Sequence, residues 1–591
     1  MVRKKTFYLV LNEVNVVGAF ALSLCGADLV IVGVNPLLER FRGFLLRASD
    51  WLERRMRCRT IADLIPPYAQ YRRMPNYPNL SDVFMVVEPW VNSWFEFDAA
   101  DRWGNGYTLP YKHATCNYVG RLGFLILALD ALNQGGHLAQ GRLIGVGRDL
   151  AAATEAYSGT PLPNLTHSSG IAPRLLNICI AVGFSLAALG WMLRRMRRRC
   201  GPARWFFVGS TTTKCERTRY ILLDIAKDQG GGCIVSYNPA HKEDIKPFFP
   251  TFHHFCLDEG VVPLADAFPD FSATVAQIFH LYRSRAYAYP AHFFDLAKPV
   301  IFRLKYRALF RVVQFKYLWG KDDYDTLHIL RSQELRRVGG KSVSMMHGIP
   351  VSNLVEPTWR YIDFDIYYMF GRSLYERYYR QTWPVSMNVR VVGAYGMTRE
   401  MLQQLEAPRG RDIVIFANPT MADQLVKDTT VALASAFPDR RIFFKVKDRR
   451  WQEGFYRDFA RNAPPHLSNL QFTGEDSYSL MLKCAYLIGT VSTVVAEGVQ
   501  YGLVSFALDT QPEHFPYHYR DFDGLCVRSP EEVVSRIKDI EAGRQVYRRD
   551  TYAELIDLSG QIIHDVIRSD FELSPRQAGA RFRPWQPSRI A

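Results

Sequence analysis

A chain of 591 residues exceeds one ordinary domain, and 48% hydrophobic with 22% charged residues supports packed cores and excludes global disorder. A formal charge of +15 favours anionic partners, namely phosphorylated small molecules or an acidic membrane surface. Lys and Arg are spread along the chain without a DNA- or RNA-binding signature, so nucleic acid is not an expected partner. The ten Cys residues form no Cys-x-x-Cys pair, which argues against a zinc site or a disulfide framework and for a reduced, cytoplasmic setting.

In chain order, "TFYLVLNEVN", "VVGAFALSLCG", "ADLVIVGVN" and "PLLERFRGFLLRASDWLERRM" read as strand, helix, strand and helix. Residues 1–174 are therefore expected to be an α/β region, although residues 14–38 are also apolar enough to enter a bilayer. Asn12, Glu13 and Asn15 interrupt the apolar run after the basic start, and no small-residue cleavage site follows, so no signal peptide is expected. Residues 62–120 show no clear period, and the region carries no readable function.

Residues 175–193, "LLNICIAVGFSLAALGWML", are uncharged, and five arginines follow within six residues. At ~1.5 Å per residue the run reaches roughly 28 Å, about one hydrocarbon thickness. A buried core helix is the competing reading, but such a helix has little use for an arginine cluster at its end. Residues 175–200 are expected to be a membrane anchor, spanning or dipping in, with the basic end on the cytoplasmic side.

From residue 204 strands and helices alternate: "RWFFVGS", "ERTRYILLDIAKDQG", "GCIVSYN", "HHFCLDEG", then "DTLHILRSQELRRVG", "KSVSMMHG", "FDIYYMF" and "NVRVVGAYG". The rhythm restarts with "RDIVIFANP" and continues through "RIFFKVKD", "NLQFTG", "SLMLKCAYLIGT", "STVVAEGVQYG", "LVSFALD", "LCVRS" and "PEEVVSRIKDIEAG". Such alternation predicts parallel sheets covered on both faces. Two doubly wound domains, over 201–395 and 396–575, are expected to face each other across a cleft, with 576–591 as a tail. Between them in character lies an aromatic and basic stretch, residues 274–320, expected to pack between domains or to lie on an anionic membrane.

Two Rossmann-like halves, a His-Gly closing a strand of the first, and Ser-Thr before "VVAEGVQYG" in the second resemble the GT-B glycosyltransferase superfamily. Within it, the order "HGIP", "FDIYYMFGRSLYERYY", "VRVVGAYG" is similar to bacterial surface-polysaccharide enzymes: capsule transferases, sialyltransferases and polyol-phosphate transferases. The resemblance covers roughly residues 204–570. It implies a nucleotide-sugar donor, CMP-linked in the sialyltransferase case, and a glycan or lipid-linked acceptor.

His347 and Gly348 end a predicted strand, where open α/β sheets bind ligands. An imidazole suits removal of an acceptor hydroxyl proton near neutral pH, and Gly348 permits close approach to the backbone. In the polyol-phosphate transferases the matching His is the proposed base. Asp258 and Glu259 in "DEG" resemble the acidic base motif of the sialyltransferases and stand as the rival. On the donor side, Thr490, Ser492 and Thr493 open a helix, where N–H groups attract phosphate or take a simple cap. Glu497 resembles the acid that contacts a donor ribose. Lys445 and Lys447 lie on one side of a strand and offer positive charge in place of the His-Pro that relatives carry. Asn418 and Gly474 are candidates in loops beside the cleft. No Asp-x-Asp ends a strand of the second half, so neither metal nor other cofactor is expected. A nucleotide-sugar 2-epimerase and a non-catalytic partner of a capsule machine are the alternatives.

Overall fold

The computed structural model describes residues 6–573 apart from 12–15, 26, 35–38, 57, 65–86, 89–107, 164, 167–170, 198–200, 212–215, 238–248, 285–289, 321–322, 324, 351–356, 397–402, 405–409, 418–422, 447–454, 491 and 511–516. Three large sheets, parallel throughout, organise these residues. The first lobe holds seven strands in the spatial order Asn388–Val391, Ile366–Met369, Lys341–Met345, Val313–Gly320, Arg204–Ser210, Cys233–Ser236 and His253–Cys256. The second lobe holds six: Leu470–Phe472, Ile442–Val446, Ile413–Ala417, Tyr486–Gly489, Val504–Leu508 and Cys526–Val527. Strands such as Ile413–Ala417 (IVIFA) are buried along their whole length. Continuous β-branched and aromatic runs of this kind suit a sheet with helices on both faces, where no position meets water.

The lobes are joined twice. Gly393–Gly396 lead out of the first lobe, and residues 554–573 return to it after the second, with the Ser373 N–H donating to the Glu554 carbonyl and the Asp557 N–H to the Phe370 carbonyl. There Phe571 stacks on Tyr317 at 3.9 Å between centroids, and Arg568 reaches Asp224 and Asp228 at 2.9 and 2.6 Å. The returning segment thus packs on the first lobe, although it lies inside the range that the sequence rhythm gives to the second. A hydrophobic cluster runs without a break from Val208 and Trp319 to Val495 and Phe571, so both lobes share one core at their junction.

Residues 6–166 carry the third sheet, in the order Arg59–Thr60, Asp28–Val34, Thr6–Leu11, Gly141–Ile144 and Leu165–Thr166. Helix Leu109–Gln134 covers it, with Cys116, Ile126 and Leu129 fully buried. Its other side meets the first lobe through polar pairs: His113 with Thr326 at 2.8 Å, and Thr115 with His292 at 3.0 Å. Glu88, earlier in the same region, accepts from Arg360 at 2.8 Å. Buried polar groups that satisfy one another specify a single docking geometry, because any shift leaves them unpaired at a cost of about 1–3 kcal/mol each.

The aromatic and basic stretch becomes helices Leu264–Ser284 and Pro290–Phe310 and strand Val313–Gly320. Phe293, Leu296, Val300, Leu304 and Ala308 are core residues. The second helix is therefore interior, and the reading that lays its aromatic face on a membrane is corrected: its apolar side chains already have protein partners. Strand Val313–Gly320 sits mid-sheet, paired with Arg204–Ser210 and Lys341–Met345.

Candidate active site

The turn after strand Lys341–Met345 is fixed from below. The Met346 N–H donates to the Tyr368 carbonyl at 2.8 Å, and the Ser344 hydroxyl donates to the Gly320 carbonyl at 2.6 Å. Asp323, on the loop after the neighbouring strand, is fully buried. Its Oδ2 accepts from the Tyr367 hydroxyl at 2.7 Å and from the His347 N–H at 3.3 Å. Burial first, and the Asp323 carboxylate second, push the Tyr367 hydroxyl well above its ordinary pKa, so it remains a proton donor. The His347 backbone is held while its side chain is exposed.

The next two residues meet the second lobe. The Ile349 N–H donates to Thr493 Oγ1 at 2.8 Å. A Cβ on Gly348 would lie 2.9 Å from that same oxygen. Gly348 therefore serves a close approach, as its position suggests, and the group that approaches is Thr493. The His347 turn and the Ser492–Thr493 turn thus meet where the two lobes pack.

On the far wall, strand Tyr486–Gly489 ends at Thr490, which is buried. The Ser492 carbonyl accepts from the Tyr519 hydroxyl at 2.6 Å, and the Ser492 hydroxyl accepts loosely from the Val494 N–H at 3.5 Å. Thr493 precedes helix Val494–Gln500 but makes no side-chain cap to it. A simple helix cap thus does not account for Thr493, whose hydroxyl is used across the crevice instead.

Glu497 is buried, and its carboxylate accepts from the Tyr478 hydroxyl at 3.2 Å. The Tyr478 ring stacks on Tyr501 and closes over Gly396 of the inter-lobe link, where a Cβ would fall 2.3 Å from the ring. Gln500 accepts from the Ala394 N–H of the same link. The face of the helix with Glu497 and Gln500 therefore grips the link rather than opening to solvent.

Lys445 lies in register with Phe416, which in turn faces Gly489, two strands across and thus about 10 Å away. Its ammonium donates to the Glu475 carbonyl, and burial lowers its pKa. Gly474, beside it, is exposed with open space around it, and Asp476 caps helix Ser477–Lys483 through the Tyr478 and Ser479 N–H groups. Lys447 and Asn418 lie outside the described residues.

Asp258 and Glu259 stand at the other end of the first sheet, after its edge strand. Asp258 Oδ1 pairs with Lys305 at 2.7 Å and accepts from the Trp191 indole at 3.1 Å. Burial would raise its pKa, but Lys305 and Trp191 outweigh that, and the carboxyl sits below its ordinary range. Four strand spacings, roughly 19 Å, separate this edge from the strand that ends at His347. The structure does not bring Asp258 or Glu259 together with His347.

Asp323, Ile349, Tyr478, Gln500 and Tyr519 hold the two turns and the inter-lobe link, and escape the sequence reading. Asp323 had one local signal: an acidic run, "KDDYD", directly after an apolar one. The others depend on contacts more than 100 residues away in the chain, or on tyrosines among 31 alike.

No family model matches the sequence, and no curated protein matches it. Among solved structures it is similar to MurG of Acinetobacter baumannii, at 11% identity over 62% of this chain and 99% of that one, with a TM-score of 0.33. The UDP-GlcNAc 2-epimerase of Neisseria meningitidis, solved with UDP-GlcNAc, aligns at 8% identity over 62% and 99%, with a TM-score of 0.35. The wall teichoic acid polymerase TagF aligns at 12% identity over 68% and 97%, with a TM-score of 0.36. Likenesses this distant assign neither an activity nor a partner.

Proposed function

We propose that the chain is a GT-B glycosyltransferase, membrane-associated at the cytoplasmic face. It moves a sugar from a nucleotide-sugar donor to a surface-polysaccharide or lipid-linked glycan acceptor. The observation that carries the reading is the 2.8 Å bond from the Ile349 N–H to Thr493 Oγ1, which joins the strand-end turns of two parallel sheets. Crevices at the carboxyl ends of parallel strands are where open α/β sheets take their ligands.

In this reading the donor phosphates face the Thr490–Thr493 turn, whose hydroxyls and amides offset charge as the nucleotide leaves. Lys445 adds positive charge from two strands away. The His347 imidazole takes the proton of the acceptor hydroxyl as its oxygen bonds to the anomeric carbon and the bond to the nucleotide phosphate breaks. Asp323 and Tyr367 hold the His347 backbone from behind and take no part in the proton transfer.

The test is product analysis with purified full-length chain, nucleotide sugars and membrane glycolipid extract. Transfer by the wild type and its loss in His347→Gln and Ser492→Ala, with donor binding retained in the first, support the reading. Conversion of the donor without an acceptor identifies an epimerase, and no turnover by the wild type with any of the CMP-, UDP-, GDP- or CDP-sugars contradicts the transferase.

A further inference from the structure

Helix Ile171–Arg195 has two apolar faces. Ala181, Ala188, Trp191 and Met192 are buried against helices Leu264–Ser284 and Pro290–Phe310. Leu175, Ile178, Val182, Leu186 and Leu193 point away from that core and are between 38% and 62% exposed. Their spacing of three, four, four and seven residues keeps them on one side of the helix.

A neighbouring helix also carries exposed apolar residues. Met196 and Arg197 pair in parallel with Val262 and Pro263, which sets the basic end of the helix beside the start of helix Leu264–Ser284. There Phe268 is 79% exposed and Leu264 53%. Arg194 and Arg197, both exposed, stand at the same end. An uncovered apolar stripe flanked by arginines complements an anionic lipid leaflet, with hydrocarbon for the leucines and headgroup phosphates for the guanidiniums.

The packing decides how the helix meets that leaflet. Trp191 is tied to Asp258 of the first lobe. The two helices it packs on carry ion pairs, Arg307 with Asp270 and Arg311, one residue past the second helix, with Asp266 and Asp270. A helix standing across the bilayer would drag those charges into hydrocarbon, where each is costly. We infer that the helix lies flat, with Leu175 to Leu193 and Phe268 dipped into an anionic leaflet and the whole protein on one side. The inference rests on the membrane part of the reading above, not on the transfer chemistry, and it chooses an in-plane anchor over the spanning one that the sequence leaves open.

Two measurements on the full chain test it. The first is co-sedimentation with phosphatidylcholine vesicles with and without phosphatidylglycerol, read alongside the oligomeric state. Binding to the anionic vesicles is expected, with the Leu186→Glu/Leu193→Glu pair weakening it by roughly 100-fold or more. Arg194→Gln/Arg197→Gln should weaken it by roughly 30-fold and reduce the phosphatidylglycerol preference. Val385→Glu, at a fully exposed valine on the first lobe outside this stripe, should leave binding unchanged. The second measurement places cysteines at the exposed Thr160 and Asp439, on either side of the helix in sequence. They are labelled with an impermeant maleimide in sealed membrane vesicles and read by site-resolved mass spectrometry. Labelling of both from one side supports the flat helix, and labelling from opposite sides overturns it while leaving membrane association standing. No vesicle binding, or a stable dimer that buries the stripe and does not bind, overturns both.

Discussion

Two regions of one sheet offered a base for the same chemistry, and they differ in what stands opposite. His347 and Asp258 each follow a strand of the first lobe. His347 lies inside the sheet order, facing the second lobe through Ile349 and Thr493. Asp258 lies past the edge strand, occupied by Lys305 and Trp191. Both local motifs offer a proton acceptor at a strand end, and the strand order separates them. A polar residue at a strand end becomes a site candidate through the element across from it, more than through its neighbours in sequence.

The largest expected effect tests that contrast directly. His347→Ala should lower transfer by about 10²–10⁴ if the imidazole is the general base, whereas Asp258→Asn should leave the rate within about twofold of wild type, since its carboxylate touches nothing in the crevice. The reverse ranking in steady-state assays would break the comparison. Next in size, Asp323→Ala should destabilise the fold by about 1–3 kcal/mol, because Tyr367 loses the acceptor for its buried hydroxyl. Chemical denaturation measures this, and Asp323→Asn should lose less.

Thr493→Val sharpens the comparison from the other side. It keeps the volume and leaves the buried Ile349 N–H without its acceptor, at about 1–3 kcal/mol, and Thr493→Ser should restore it. The smallest stability effect belongs to Asp258→Asn at the edge, under about 1 kcal/mol, because the pair with Lys305 is partly exposed to water.

Acid should also act between the lobes. His518 is buried, bonded to Ser373 of the first lobe at 3.0 Å and to Asp521 at 3.0 Å. Burial lowers its pKa, and the Asp521 carboxylate offsets this only in part, so the folded imidazole stays neutral. As pH falls below the ordinary histidine value of about 6.5, the unfolded chain binds a proton that the folded chain refuses, and stability falls. Melting temperature followed across that range should drop, and the part due to His518 should vanish in His518→Gln.

The second lobe is the more legible half. Runs such as "IVIFA", "IFFKV" and "YLIG" are short, apolar and rich in β-branched or aromatic residues, and each forms a strand where the pattern puts it. Strand Val313–Gly320 is hidden because "VQFKYLWG" continues the aromatic and basic composition of the helices before it. Helix Leu109–Gln134 is hidden for another reason: it is apolar nearly all round, since it is covered by a sheet on one side and a lobe on the other, and no amphipathic period marks it. The His347 and Ser492–Thr493 turns could be picked out as motifs. Their meeting could not, because a bond between residues 349 and 493 depends on how two separate sheets pack.

The proposed nucleotide site lies where the Gly348–Ile349 turn meets the Ser492–Thr493 turn. Amide hydrogen exchange tests it most directly, with the CMP, UDP, GDP or CDP ligand that raises the melting temperature most. Ligand should slow exchange in both 346–349 and 492–497, with little change in the sheet of residues 6–166. Protection confined to that sheet, or to one turn without the other, would contradict the claim.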